Sequence, residues 1–469
     1  MKIKKIHFVG IKGVGMTPLA VIAKEAGFEV SGSDINEHFI TDEVLEKAGI
    51  KPQVGFDKSH VNNADLVITS GANGGFDNPE NVEAKKLSIP LLTQGEAIAR
   101  FQTGELTEKA TEGISVAGTH GKTTTTAMIA TILKANGFDP SFAIGTGMIP
   151  YLDSSGHFGK GKYFVAEADE YATEPNYDKT PKMHWQKPKI GVITNIEYDH
   201  PDIYPSIEEL KKAFLVFAQG IDASGSLVIN LDGENVNDLL KIFKGRIITY
   251  GFSQRADFYL DKVNVEEEKT FFWVYNRGMN LGEFSINVSG EHNALNALAS
   301  VIVCLELGIS VENIKKGLLA FRGTKRRMEY VKTLSSGALL FDDYAHHPTE
   351  IKKTLQTLKK IYPNKKIVCI FQPHTYSRTK ALFEQFISSF NDSYQLIITK
   401  IYSSRRETPD PSVSSKLLAE AISTTGKDVL YLDNFDDVIK YIEQKSPDRT
   451  YVVVTMGAGD IYKLSNDLK

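Results

Sequence analysis

The hexapeptide Gly118-Thr119-His120-Gly121-Lys122-Thr123 limits what this chain can fold into more than any other stretch. It follows the apolar run Ile114-Ser115-Val116-Ala117, and a helix-forming segment, Ala127 to Ala135, follows it. Strand, glycine turn, Lys-Thr and helix, in that order, is the layout of a phosphate-binding loop. Glycines let backbone N–H groups converge on phosphate oxygens, the helix N-terminus adds partial positive charge, and Lys122 adds a full one. Thr123 offers a hydroxyl to the Mg²⁺ that accompanies ATP. The loop is a short form, because Val116 stands where the longer pattern has its first glycine. The nucleotide-binding candidates here are Gly118, Thr119, Gly121, Lys122, Thr123 and Thr124.

A chain of 469 residues suggests about three domains. We place them at 1–108, 109–323 and 324–469. With 42% hydrophobic and 24% charged residues, each can bury its own core. The formal net charge of −4 argues against a nucleic-acid partner held by bulk charge. Cys304 and Cys369 lie far apart in apolar contexts and read as buried core residues. Glycines break the apolar stretch after the N-terminal lysines, so it is not read as a signal peptide, and no stretch is long enough to enter a membrane. The expected compartment is the cytoplasm, and the expected state a monomer or homodimer.

In the first segment, Lys5-Ile6-His7-Phe8-Val9 reads as a strand, Gly10 to Gly15 as a turn and Met16 to Ala26 as a helix. A second strand from Phe28 ends on Ser33 and Asp34, making a βαβ unit with glycines at its first turn. The spacing is Gly-x-x-Gly-x-Gly, which differs from the nicotinamide dinucleotide pattern and argues against an oxidoreductase. The turn can still present N–H groups to a phosphate, and Asp34 can accept from a ribose or a base. A further strand ends at Ser70.

The middle segment has two more buried strands with polar ends. One closes on Glu167-Ala168-Asp169-Glu170, the other on Asn195-Ile196-Glu197-Tyr198-Asp199-His200. Acids at strand ends beside a Lys-Thr loop suit Mg²⁺. Asn293 and Asn296, one turn apart on a helix, can both face a purine edge, or Asn293 can cap that helix. In the last segment, Lys325-Arg326-Arg327 can clamp phosphate or carboxylate, or stand as a solvated face. A strand from Leu339 ends on Asp342-Asp343-Tyr344-Ala345-His346-His347, and another on Gln372-Pro373-His374. His346, His347 and His374 lack regular ligand spacing and are not read as a zinc site.

In this order, Gly118–Thr123, Glu167–Glu170, Asn195–His200, Gly290–Asn296 and Asp343–His346 resemble the Mur ligase family, the ATP-dependent amide-forming enzymes of peptidoglycan precursor synthesis. The resemblance covers essentially the whole chain. It implies three α/β domains: a Rossmann-like N-terminal domain for a UDP-sugar, a central P-loop ATPase-type domain, and a C-terminal Rossmann-like domain that takes the amino acid and closes on ATP. It implies ATP, Mg²⁺, UDP-N-acetylmuramate and L-alanine as partners, with a recycled L-Ala-γ-D-Glu-meso-diaminopimelate tripeptide as the alternative amine. Tyr171-Ala172 favours the tripeptide, whereas His374 to Arg378 and Gly457 to Ile461 favour alanine. By the same resemblance, Lys122, His200 and Glu167 carry catalysis, with Thr123, Glu167 and His200 on metal. Asn293, Asn296, Arg327 and Asp343 contact ATP. Gly13, Val14, Gly15, Met16, Ser33, Asp34, Ser70 and His120 receive the UDP-sugar. Tyr344, His346, His374 and Arg378 hold the amino acid.

Overall fold

The computed structural model describes residues 3–403 and 407–469. Among them, three large sheets, each mostly parallel, follow one another along the chain, and a two-stranded antiparallel ribbon, Ala172–Glu174 with Asp178–Pro181, stands apart from them. The first has five strands, ordered Gln53–Val54, Glu29–Asp34, Lys5–Val9, Leu66–Thr69 and Leu91–Thr93. Lys5–Val9 is central and buried from Ile6 onward, and the polar His7 within it is paired with the buried Glu80. The helix Thr17–Glu25 follows it with Pro18 in its first turn, where a missing N–H costs nothing.

The second sheet has ten strands. Its middle is Ser226–Asn230, Ile190–Ile193, Glu112–Ala117 and Tyr163–Glu167, all in parallel register. Glu112–Ala117 carries the phosphate loop and has a parallel neighbour on either side. Its carboxyl end therefore opens into the crevice where open α/β sheets bind ligands. The helix Lys122–Ala135 starts at the loop itself, five residues earlier than the sequence suggested. Thr123 to Leu133 are all buried. The helix packs between the sheet and the helices Glu291–Glu306 and Val311–Ala320, so it shows no solvent stripe. The far edge is an antiparallel meander, Phe258–Val265, Thr270–Asn276 and Met279–Ile286, which the sequence reading had not singled out. It covers the helix Glu291–Glu306.

The third sheet has six strands, ordered Glu329–Thr333, Leu339–Asp343, Tyr451–Met456, Lys366–Phe371, Gln395–Ile398 and Val429–Tyr431. Only the first runs antiparallel. The second and third sheets pack their own cores around the middle-strand Val and Ile side chains, with Cys304 and Cys369 fully buried and unbridged. No helix among the described residues is long and apolar enough to cross a membrane.

The three domains touch. Tyr177 donates to Asp77 at 2.7 Å, joining second to first. Tyr462 donates to the His38 carbonyl at 3.0 Å, joining third to first. Arg378 donates to Asp199 at 2.7 Å, joining third to second.

Candidate active site

The phosphate loop leaves its strand at Ala117 and becomes helix at Lys122. Gly118 has φ +131° and Gly121 φ +84°, both in the region that favours glycine. A Cβ on Gly118 would lie 2.0 Å from Thr194 Oγ1, and one on Gly121 2.5 Å from Asn296 Oδ1. The neighbouring strand's end holds the turn. Asn195 accepts from the His120 N–H at 2.9 Å, and its amide donates back to the His120 carbonyl at 3.0 Å.

Lys122 is clasped by its surroundings. Its ammonium donates to Glu170 at 2.8 Å and to the Gly118 carbonyl at 2.5 Å. Burial alone would lower its pKa, but the charges of Glu170, Asp169 and Glu167 raise it, so it stays cationic. Thr123 donates to Glu167 at 3.0 Å, and Glu167 also accepts from the Gly145 N–H at 2.5 Å. Burial pushes the Glu167 carboxyl up. The hydroxyl, on the first turn of the loop helix, and the carboxylate, at the end of the adjacent strand, are hard oxygen donors. They fit a magnesium ion completed by phosphate oxygens and water.

Glu170 links Lys122 to His200, whose Nε2 is 3.6 Å away. His200 sits at φ +55°, an uncommon conformation for a residue with a side chain. Next to it, the buried Asp199 takes the Arg378 guanidinium. Burial would raise the Asp199 carboxyl, but the Arg378 and His200 charges hold it well below its ordinary range. Arg378 also donates to His374 Nδ1 at 2.9 Å. Burial and the Arg378 charge keep His374 neutral. The sequence placed Lys122, His200 and Arg378 in three motifs, and the fold strings them along one line from phosphate loop to third domain.

Other third-domain residues gather around Glu350. Its carboxylate meets His120 Nδ1 at 3.2 Å, Arg327 at 3.4 Å and His346 Nδ1 at 3.3 Å. Tyr344 stacks under both Arg326 and Arg327, with guanidinium carbons 5.2 and 5.1 Å from the ring centre. Burial depresses His346 to about 3, so it is neutral. Asp343 accepts from the N–H groups of Ala345 and Met328 at 2.7 and 2.8 Å, and burial raises it to about 6. Arg326 is no part of a solvated face. It is buried against Asp342 at 2.9 Å and the Gly457 carbonyl at 2.6 Å, because its side chain ties the end of one strand to the loop after another.

Asn293 does not cap its helix. Its amide donates to the Ser289 carbonyl at 2.8 Å, and Asn296 donates to Asn293 at 3.2 Å beside the phosphate loop. In the first domain, Asp34 accepts from the Lys12 N–H at 2.8 Å and so closes the turn that holds Gly13, Val14, Gly15 and Met16. Ser33 donates to the buried Glu80 at 2.5 Å, and Ser70 accepts from the Ala72 N–H at 3.3 Å. His120 turns away from this group. It lies between Glu350 and Glu197, and these charges outweigh its burial and raise it to about 9. Its ring thus bridges Glu197 of the second domain and Glu350 of the third.

Sequence reasoning missed Glu350 and Asp199 as partners. Asp199 gave only a position beside a histidine. Glu350 had a local signal, since it is the third helical residue after His347 and forms a capping box with it.

Family models match nearly the whole chain. Residues 5–104 match "Mur ligase family, catalytic domain", 116–304 "Mur ligase middle domain", and 326–459 "Mur ligase, glutamate ligase domain". A UDP-N-acetylmuramate–L-alanine ligase of Desulfitobacterium hafniense is 39% identical over 99% of both chains. The crystal structure of the UDP-N-acetylmuramate–alanine ligase of Thermotoga maritima superposes with a TM-score of 0.81 at 28% identity, covering 99% of this chain and 98% of that one. A murein peptide ligase of Psychrobacter arcticus gives 0.71 at 25% identity, with 99% and 98% covered.

Proposed function

This chain belongs to the Mur ligase family, and we propose that it joins L-alanine to the lactoyl carboxylate of UDP-N-acetylmuramate in an ATP-dependent reaction. A carboxylate is a poor electrophile. Transfer of the ATP γ-phosphoryl group to it breaks the bond to the β–γ bridging oxygen and gives an acyl phosphate and ADP. The amine of alanine attacks the acyl carbon, the amide C–N bond forms as the acyl C–O bond to phosphate breaks, and inorganic phosphate and the amine proton leave. One observation supports this reading above the rest. Lys122, Glu170, His200, Asp199 and Arg378 form a continuous line of contacts from the phosphate loop to the third domain. That is the span needed to bring a phosphoryl donor, an acceptor carboxylate and an amino acid together.

In this proposal the loop amides and Lys122 hold the β- and γ-phosphates. Thr123 and Glu167 would hold the magnesium that accompanies ATP and His200 a second ion, and such ions neutralise charge on the transferring phosphoryl group. Asn293, Asn296 and Asp343 serve the nucleoside, and Arg327 reaches a phosphate from the third domain. Arg378 pairs with the alanine carboxylate, and His374, Tyr344 and His346 wall that pocket. The glycine turn, Ser33, Asp34 and Ser70 take the UDP group. Closure of the third domain excludes water from the acyl phosphate.

The test is phosphate release with ATP, Mg²⁺ and UDP-N-acetylmuramate, offering L-alanine in one tube and the tripeptide in another, with the product identified by mass spectrometry. Release with alanine alone is expected. Release only with the tripeptide would assign the chain to the alternative reading. Tyr171-Ala172, where the sequence resembles a tripeptide ligase, would then be the first place to examine, and Tyr171 lies beside the site, its ring centre 4.8 Å from that of His200. His200→Ala should retain ATP binding and lose amide formation; loss of ATP binding would refute the role given to it.

A further inference from the structure

The junction between the second and third domains holds a cluster to which the proposed chemistry gives no role. His120 comes from the phosphate loop, Glu197 from the end of the next strand, and His347 from the cap of the helix Pro348–Ile361. Each offers one ligand atom, and the three atoms lie within 4.8 Å of one another. The geometry points to a site for a borderline transition-metal ion of the Zn²⁺ class, bound by two imidazoles and one carboxylate across the domain junction.

The ligand atoms are already aimed. The His120 side chain is 9% exposed, and its Nε2 makes no hydrogen bond. Glu197 Oε2 faces that nitrogen at 3.5 Å. The other ring nitrogen meets Glu350 Oε1 at 3.2 Å. A carboxylate in that position takes the Nδ1–H and leaves the Nε2 lone pair for a metal, the usual support for a ligating histidine. His347 is arranged in the opposite sense. Its Nε2 donates to the Tyr198 carbonyl at 3.2 Å, leaving Nδ1 3.9 Å from Glu197 Oε2. That Nδ1 also accepts from the Thr349 N–H at 3.2 Å, a cap bond the ion would replace. Glu197 is braced by the Thr349 hydroxyl at 2.5 Å.

The dimensions suit a tetrahedral ion. Ligands about 2.1 Å from such an ion lie about 3.4 Å apart. The two separations through Glu197, 3.5 and 3.9 Å, need little adjustment. Two nitrogens and one oxygen select a borderline ion over magnesium, so this site differs in kind from the oxygen pair Thr123–Glu167. Three ligands leave a fourth position for water. Because its ligands come from two domains, the bound ion fastens the third domain over the phosphate loop.

The site can be tested with metal alone, independently of whether the chain is a ligase. Zn²⁺ is titrated into the full chain against a chromophoric chelator, and Co²⁺ serves as the spectroscopic probe. One high-affinity Zn²⁺ per chain is expected, with the strong visible absorption of four-coordinate Co²⁺. Affinity should fall by about tenfold or more in His347→Asn and Glu197→Gln and hold in Glu167→Gln. His347→Asn keeps an acceptor for the helix cap, so it decides the matter if Glu197→Gln does not fold. Small-angle scattering should show Zn²⁺ compacting the parent and leaving His347→Asn unchanged. Zn²⁺ bound equally by parent and His347→Asn, lost in Glu167→Gln, or bound by the parent no better than by surface histidines would each overturn the proposal.

Discussion

Lys122 has two jobs that substitutions can separate. Its ammonium neutralises Glu170, which is almost wholly buried, and it is the cation proposed for phosphate. Lys122→Ala should lower turnover by about 10²–10³ or more. It should also cost on the order of 1–3 kcal/mol of stability by leaving Glu170 unpaired. Lys122→Met combined with Glu170→Gln should recover the stability, read by urea unfolding, without the turnover. If turnover returned with stability, the lysine would be structural only. His157 carries a pH effect far from this site. It bonds Glu25 at 2.7 Å and Asp139 at 3.0 Å, and the Glu25 bond raises its pKa against a smaller lowering by burial. A raised histidine stabilises the fold fully below its unfolded pKa of about 6.5, and that contribution is lost as pH rises through the higher folded value. The pair is partly solvated, so the amount should be below about 1 kcal/mol. His157→Gln should therefore narrow the stability gap to the parent as pH rises above neutrality; a gap independent of pH would remove the charge argument.

At the scale of elements, the strand–turn–helix of the phosphate loop depends on backbone packing as much as on charge. Gly118 combines positive φ with contact to Thr194, whose backbone N would lie 3.0 Å from an added Cβ. Gly27 also has positive φ, +95°, but an added Cβ there meets nothing within 4 Å. Gly118→Ala should thus cost about 2–4 kcal/mol and weaken ATP binding, whereas Gly27→Ala should cost about 1 kcal/mol. Thermal unfolding of both variants compares the two. Equal losses would mean that conformation, and not the fit against Thr194, sets the requirement. The helix Pro348–Ile361 has a similar double use. Its first turn is capped by His347, and its Glu350 reaches back to the phosphate loop through His120.

At the scale of the molecule, several contacts hold the third domain closed, and Arg378–Asp199 is a deeply buried ion pair among them. Removing one partner of a buried ion pair leaves an uncompensated charge, which costs about 3–5 kcal/mol. Opening the domain gives Asp199 water instead. Arg378→Ala should therefore enlarge the radius of gyration in small-angle scattering and raise the alanine KM by at least about tenfold. His374→Ala should raise KM without the expansion, since His374 accepts from Arg378 and stacks on Tyr402 within the third domain. Expansion in neither variant would place the closing force in the contacts of Tyr462 and Lys463 with the first domain.

The sequence by itself determined the elements and their chemistry. Apolar runs bounded by glycine turns specified the parallel strands. Fixed spacing marked the phosphate loop, because backbone amides can converge on phosphate only through such a turn. Acids at strand ends were legible for the same reason. Local pattern was silent where an element packs on a remote partner. The meander from Phe258 to Ile286 is an antiparallel edge whose alternation serves a helix later in the chain. Only the tertiary structure decided which charged groups are paired. Arg326 was one of three basic residues in a row until folding buried it against Asp342. His120 and His347 lie more than two hundred positions apart, yet their rings come within 4.6 Å between centres. Burial and charge pairing depend on distances across domains, and spacing along the chain does not encode them.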